Sequence, residues 1–311
     1  MILTVTMNAA IDKRYVVERM IPGEVMRVKE CVYTAGGKGL NVSRVAVIAG
    51  EAVTATGFLG GHAGDYVSEE LTKSGVHGDF VRVNGESRSC INIYSQEDRS
   101  QTELLEPGIT VTPEDTACFI DKYSGLLAKC DAVVISGSLP RGMDAGFYTR
   151  LIEGAKKAGR PVLLDTSGES LRLGITAKPD FVKPNRDEIK ALLGVDIENL
   201  NDVITAAQKL HEDGVGVVAV SMGRDGVVVA CREGVFRGLT PDVKVVNTVG
   251  SGDAMTAAFA VGFVRGLPIE ETIRLAVSIS TANALREQTG YFLHEDAERI
   301  AEQAEVLPVT L

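Results

Sequence analysis

The sequence predicts an α/β protein: a doubly wound, mostly parallel sheet with helices on both faces, plus a small β-sheet lid. Three observations lead there. From residue 113 onward, short apolar runs at 132–137, 162–165 and 217–221 alternate with stretches of helical periodicity. Strands that are apolar on both sides belong to parallel sheets covered by helices. Residues 15–33, 88–94 and 102–105 instead alternate between apolar and polar or charged neighbours, the pattern of strands with one solvated face. Finally, 311 residues with 45% hydrophobic and 24% charged content suit one large globular domain or two smaller ones.

Taken in order, residues 2–7 read as a buried strand, followed by Asn8 and Asp12. Residues 15–33 read as a hairpin interrupted at 21–24 by Ile-Pro-Gly-Glu. A Gly-rich turn at 35–39 feeds a helix. A strand is expected over 52–59, a helix over 65–74, and two further exposed strands at 88–94 and 102–105. The αβ rhythm then gives a helix at 113–128, a strand at 132–137, a helix at 145–158 and a strand at 162–165. A strand end at 181–185 precedes a helix at 188–193. After it come a helix at 203–212, strands at 217–221 and 227–230, and a largely β-branched run at 243–246 that reads as one more strand. Helices at 254–265 and 270–287 close the pattern. Ligands of such sheets sit beyond the carboxyl ends of the strands. Asn8, Asp12, Ser136, Asp165, Lys183, Asn185, Ser221 and Asp253 are therefore expected on one rim.

Composition narrows the function. The net charge is −10 without a Lys/Arg-rich run, so nucleic acid and anionic membrane surfaces are poor partners. The first eight residues carry no basic region or long apolar core, and no apolar run reaches the length of a membrane span. Cys31, Cys90, Cys118, Cys130 and Cys231 are scattered and lack CxxC spacing, as expected of reduced thiols in a cytoplasmic protein. His62, His77, His211 and His294 show no paired spacing.

Two Gly-rich turns carry the chemistry. In Asn247-Thr248-Val249-Gly250-Ser251-Gly252-Asp253, glycines precede a helical run. Amides can converge there on an anion at the positive end of the helix dipole. Asp253 is either an N-cap or a base beside a phosphoryl group in transfer. Ala35-Gly36-Gly37-Lys38-Gly39-Leu40-Asn41 also opens a helix, but lacks Walker or GxGxxG spacing. Arg27 and Arg88 read either as solvent-facing strand charges or as anion clamps. Asn185 and Glu188 match a helix-capping pattern.

Together these motifs resemble those of the ribokinase-like, phosphofructokinase-B family of sugar kinases. Gly137-Ser138-Leu139-Pro140, Lys183-Pro184-Asn185-Arg186-Asp187-Glu188 and Ser221-Met222-Gly223 fit the same family, in order and over essentially the whole chain. Within it, Ser87-Arg88-Ser89-Cys90-Ile91, residues 101–106 and Gln288-Thr289-Gly290-Tyr291 resemble kinases of tagatose 6-phosphate. Val245-Val246-Asn247-Thr248-Val249-Gly250 is equally similar to 1-phosphofructokinases. The resemblance implies an ATP-dependent transfer to a ketohexose monophosphate; a non-catalytic sugar-phosphate sensor on the same fold is the alternative. It makes Asp253 the base, with Gly250, Ser251 and Gly252 supplying amides. Asp12, Arg27, Gly37, Lys38, Asn41 and Arg88 would bind sugar phosphate. Lys183, Asn185, Ser221, Gly223, Gly226, Thr248 and Asn283 would line the nucleotide. Asn185 and Glu188 would meet Mg2+ largely through water, and a monovalent cation is a further candidate. Residues 1–10, 35–85 and 107–311 would form the core and 11–34 and 86–106 the lid, whose outer face would pair two copies.

Overall fold

A computed structural model describes residues 1–309. The chain opens with β1 (Ile2–Thr6), fully buried, then leaves the core as β2 (Ala10–Val17) and β3 (Glu30–Gly36). It returns with α1 (Lys38–Ile48), β4 (Val53–Leu59) and α2 (Gly61–Lys73), and the two-residue strands β5 (His77–Gly78) and β6 (Val81–Arg82). It leaves again as β7 (Arg88–Ser95) and β8 (Gln101–Leu105). The αβ alternation follows: α3 (Pro113–Leu127), β9 (Ala132–Ser136), α4 (Phe147–Lys157), β10 (Val162–Asp165), α5 (Gly168–Ile175), β11 (Phe181–Val182), α6 (Arg186–Leu193), α7 (Leu200–Glu212) and β12 (Val217–Ser221). Last come β13 (Val227–Cys231), β14 (Gly234–Leu239), α8 (Ser251–Arg265), α9 (Ile269–Ala284), α10 (His294–Gln303) and β15 (Glu305–Val309).

The main sheet has eleven strands in the order β15-β14-β13-β12-β11-β10-β9-β1-β4-β5, with β6 also on β4. From β12 to β5 the pairings are parallel, and β13, β14 and β15 add antiparallel strands at one edge. Two apolar cores lie on its faces. One joins Leu40, Val45, Phe181 and Phe259 with α1, α8 and α9; the other joins Phe119, Tyr148, Leu151 and Ile204 with α3, α4 and α7. Helices on both faces are what all-apolar strands require.

Four strands, β3-β2-β7-β8, form a small sheet of their own. Its β2–β7 pair is parallel and the two outer pairs are antiparallel. Three residues separate β1 from β2, so Asn8 and Asp12 lie where the two sheets meet.

One expected strand is absent. Residues 243–246 form no strand; Val245 and Val246 are half exposed. The amides of Val246 and Asn247 bond instead to Ala284 O, at the end of α9. The edge position at β14 is filled by β15. Six elements go beyond the sequence expectations: β5, β6, α5, β14, α10 and β15.

Candidate active site

Register brings one residue from each of four neighbouring strands into a row at the carboxyl end of the sheet. Thr6 and Ser136 end β1 and β9, Ser136 is paired with Asp165, and Lys183 follows Val182 in β11. The N-termini of α1 and α8 meet this row, and a cavity of about 690 Å³ opens between it and the small sheet. Among its lining residues are Asp12, Gly37, Lys38, Asn41, Arg88, Gly250 and Asp253.

The first turn of α8 is shaped by Gly250. Its φ is +81°, and a Cβ there would lie 2.5 Å from Thr289 Cγ2, so any other residue would be both strained and crowded. The Ser251 amide folds back onto Thr248 O at 3.2 Å, while those of Gly252 and Asp253 have no acceptor among the described residues. Free first-turn amides at a helix N-terminus are anion donors. Asp253 is buried at 7% exposure, and its Oδ2 accepts from Asn41 Nδ2 at 2.7 Å. Burial, and then the negative charge of Asp165, push its carboxyl up to about 6; Lys38, Asn41 and Lys183 pull the other way.

Asp165, a rim residue given no role by the sequence, is the electrostatic centre of the floor. It is fully buried, 3.2 Å from Lys38 Nζ and 3.5 Å from Lys183 Nζ, and it accepts from Thr256 Oγ1 at 2.8 Å. Burial alone would raise its carboxyl, but Lys183 and Lys38 hold it below the usual range. Asp165 in turn raises the Lys38 ammonium, which stays cationic at any physiological pH.

On the small-sheet side, Arg88 donates from Nε to Asn8 O at 3.1 Å and from Nη1 to Glu106 O at 3.2 Å. Those backbone contacts hold its guanidinium at the cavity wall. Burial raises the Asp12 carboxyl against the charges of Arg44 and Arg88. The carboxylate packs on Gly36, where a Cβ would overlap it.

The remaining expected site residues lie elsewhere. Lys183 is buried beside the first turn of α8, and Ser221, Gly223 and Gly226 follow on the shoulder where β12 turns into β13. Thr248 is exposed in the loop before Gly250. Asn185 and Glu188 form a capping box at α6: Glu188 N donates to Asn185 Oδ1 at 2.8 Å, and Asn185 N to Glu188 Oε2 at 2.9 Å. Asn283 is fully buried. It donates to Val249 O and Ser251 Oγ and accepts from the Gly290 and Tyr291 amides. With its amide spent on two loops, it shapes the turn from behind rather than facing the cavity. Arg27 lies on the exposed β2–β3 connection, outside the cavity lining.

The chain matches the profile of the pfkB family carbohydrate kinases over residues 3–296. It is 36% identical to a tagatose-6-phosphate kinase of Staphylococcus epidermidis, across 99% of this chain and all of the relative. Among solved structures it is similar to a possible 1-phosphofructokinase of Thermotoga maritima, with 30% identity, 99% coverage of each chain and a TM-score of 0.91. It is also similar to Escherichia coli phosphofructokinase-2 in complex with potassium, with 27% identity, 97% and 98% coverage and a TM-score of 0.90. A motif-bearing sequence, a two-sheet fold and full-length relatives agree: the chain belongs to the pfkB family of carbohydrate kinases.

Proposed function

We infer that the protein is an ATP-dependent kinase converting D-tagatose 6-phosphate to D-tagatose 1,6-bisphosphate. The observation that carries this reading is the buried Asp253 carboxylate, with its pKa near 6, in one cavity with Lys38 and Arg88. A base needs a pKa near the working pH, and a phosphorylated sugar needs fixed cations. In the reaction the free primary hydroxyl of the sugar gives its proton to Asp253. Its oxygen bonds to the γ-phosphorus as the bond to the ADP oxygen breaks. The Gly252 and Asp253 amides receive the charge that grows on the phosphoryl oxygens; one such donor contributes about 2.7–4 kcal/mol. Arg88 and Lys38 hold the phosphate already on the sugar, and Asp12 accepts from its hydroxyls.

Lys183, Ser221, Gly223, Gly226 and Thr248 offer a shoulder for the nucleotide next to α8. Asn185 and Glu188 present hard oxygen donors, and the second carboxylate oxygen of Glu188 makes no hydrogen bond among the described residues. Those few donors suit magnesium, which prefers to keep phosphate oxygens and water. Bound there, the ion would neutralise charge on the transferring phosphates. The potassium in the E. coli relative supports testing a monovalent cation. The small sheet serves as a lid that keeps water from the phosphoryl group. Exposed Val28, Tyr33, Leu104 and Leu105 on and beside it support pairing with a second copy.

A second reading, 1-phosphofructokinase, is favoured by the Thermotoga maritima relative and by the 245–250 resemblance. Both sugars carry one phosphate and one free CH₂OH. A comparison of kcat/KM for tagatose 6-phosphate, fructose 1-phosphate, fructose 6-phosphate and free fructose tests the assignment. Charge-assisted hydrogen bonds contribute about 1.5–3 kcal/mol, so a ketohexose monophosphate is expected to lead free fructose by about tenfold or more. Equal rates on the unphosphorylated sugar would sink the reading; a lead for fructose 1-phosphate would select the second one.

A further inference from the structure

One cation at the site has no part in the contacts with substrate described above. Arg44 sits in the second turn of α1, and one of its Nη groups donates to Ala35 O at the end of β3. The other donates to Asn41 Oδ1 at 2.6 Å and to Thr289 O at 3.0 Å. Ala35 belongs to the small sheet, while Thr289 packs behind Gly250. Desolvation is the largest influence on this guanidinium and lowers its pKa, opposed by the charges of Asp12, Asp253 and Glu70.

The chemistry of the amide makes this arrangement consequential. A guanidinium only donates, so it can meet only the oxygen end of Asn41. The NH₂ end is then obliged to face Asp253, where it donates to Oδ2. A carboxylate oxygen anchored by a donor is a poorer place for an incoming proton. Oδ1 is therefore left as the proton-accepting atom. Were the Asn41 amide reversed, its oxygen would oppose the carboxylate and the base would turn away.

We propose that Arg44 is a positioning residue for phosphoryl transfer, which locks the orientation of Asn41 and thereby aims Oδ1 of Asp253 at the sugar hydroxyl. Through Ala35 and Thr289 the same guanidinium makes that aim depend on the small sheet and the Gly250 turn both being in place. The proposal rests on Asp253 being the base.

The test is a double-mutant cycle of Arg44→Lys and Asn41→Ala, read by kcat, KM for MgATP and the pH profile. Lysine keeps the charge but cannot span three acceptors. Arg44→Lys is expected to lower kcat by about ten- to a hundredfold, the cost of a misplaced reacting group, with little change in KM for MgATP. Asp253 is faced by Asp165, Lys38, Lys183 and Asn41. Loss of the oriented Asn41 donor moves the acid limb of the profile to higher pH. In the Asn41→Ala background the Arg44 substitution should have no further effect on kcat. Wild-type kcat and an unmoved acid limb, with only a lower melting temperature, would overturn the proposal, as would effects that multiply. Should Arg44→Lys fail to fold, NMR of the ¹⁵N-arginine-labelled wild type decides. Restricted rotation of the Arg44 Nη groups that is lost in Asn41→Ala supports the inference, and free rotation in the wild type refutes it. Neither NMR result depends on turnover, so they separate this inference from the assignment of the base.

Discussion

Asp253→Asn is expected to lower kcat by about 10²–10⁴-fold, the usual range for loss of a general base. The same change should make the fold more stable above about pH 6. Asparagine keeps the shape and can still accept from Asn41, but it has no affinity for the hydroxyl proton. The stability change follows from linkage. Burial pushes the folded carboxyl up to about 6, from the ordinary aspartate value of 3.8. Its favourable contribution is complete below the unfolded pKa and is lost as pH rises through the folded one. The wild type therefore carries a burial cost at pH 8 that the variant escapes, up to about 3 kcal/mol. At pH 4 the two should be nearly equal. Kinetics and denaturant melts at both pH values check this pair of outcomes. A folded variant keeping more than about a tenth of wild-type kcat, well outside the general-base range, would remove Asp253 from the mechanism. The KM for MgATP should move little, since the carboxylate does not bind nucleotide.

Asp165→Ala should be the most destabilising substitution in the site, by about 3–5 kcal/mol, the cost of breaking a buried ion pair from one side. It strands the Lys183 ammonium, whose side chain is only 6% exposed, and frees Lys38 from its anchor. Thr256 loses less, because its hydroxyl also reaches Gly252 O at 3.2 Å. The folded pKa of Asp165 is depressed, so its contribution is present at neutral pH and disappears as pH falls. The gap between wild type and variant should accordingly narrow in acid. Urea midpoints at pH 7 and pH 4 measure it. A loss under about 1 kcal/mol at pH 7 would mean that the two lysines find other partners, outside the range for a broken buried pair.

The sequence was most legible where one local force decides the outcome. Residues 162–165 and 217–221 form the strands expected of them, since apolar runs bounded by turns fit only a covered sheet. Residues 243–246 have the same β-branched look yet form no strand, because their amides serve the last carbonyl of α9. Strand preference describes the fit to a pleated surface, and here that surface is absent. The edge strand β15 was obscured by Pro308, tolerated there because an edge leaves one side of the backbone unpaired. In α10 only Ala297 and Ile300 are buried, too thin a stripe to signal a helix. The site divides in the same way. Asp12, Lys38, Arg88 and Asp253 sit in recognisable local patterns and line one cavity. Arg44 and Asp165 take their meaning from partners up to 245 residues away, which no local pattern encodes.

That separation bears on the order of events when the protein is made. The bond between Asn41 and Asp253 spans 212 residues, and the Arg44–Thr289 bond spans 245. Closing such long loops is entropically costly and slow. While the chain is being synthesised, β1, α1 and β4 can collapse early, but the base emerges only with α8. An emerging chain therefore holds its sugar-side residues long before it can do chemistry. During refolding from urea, far-ultraviolet circular dichroism should recover before kinase activity, the lag marking the docking of α8 and α9 onto a sheet already assembled. Coincident recovery of the two signals would show that the sheet cannot form without them.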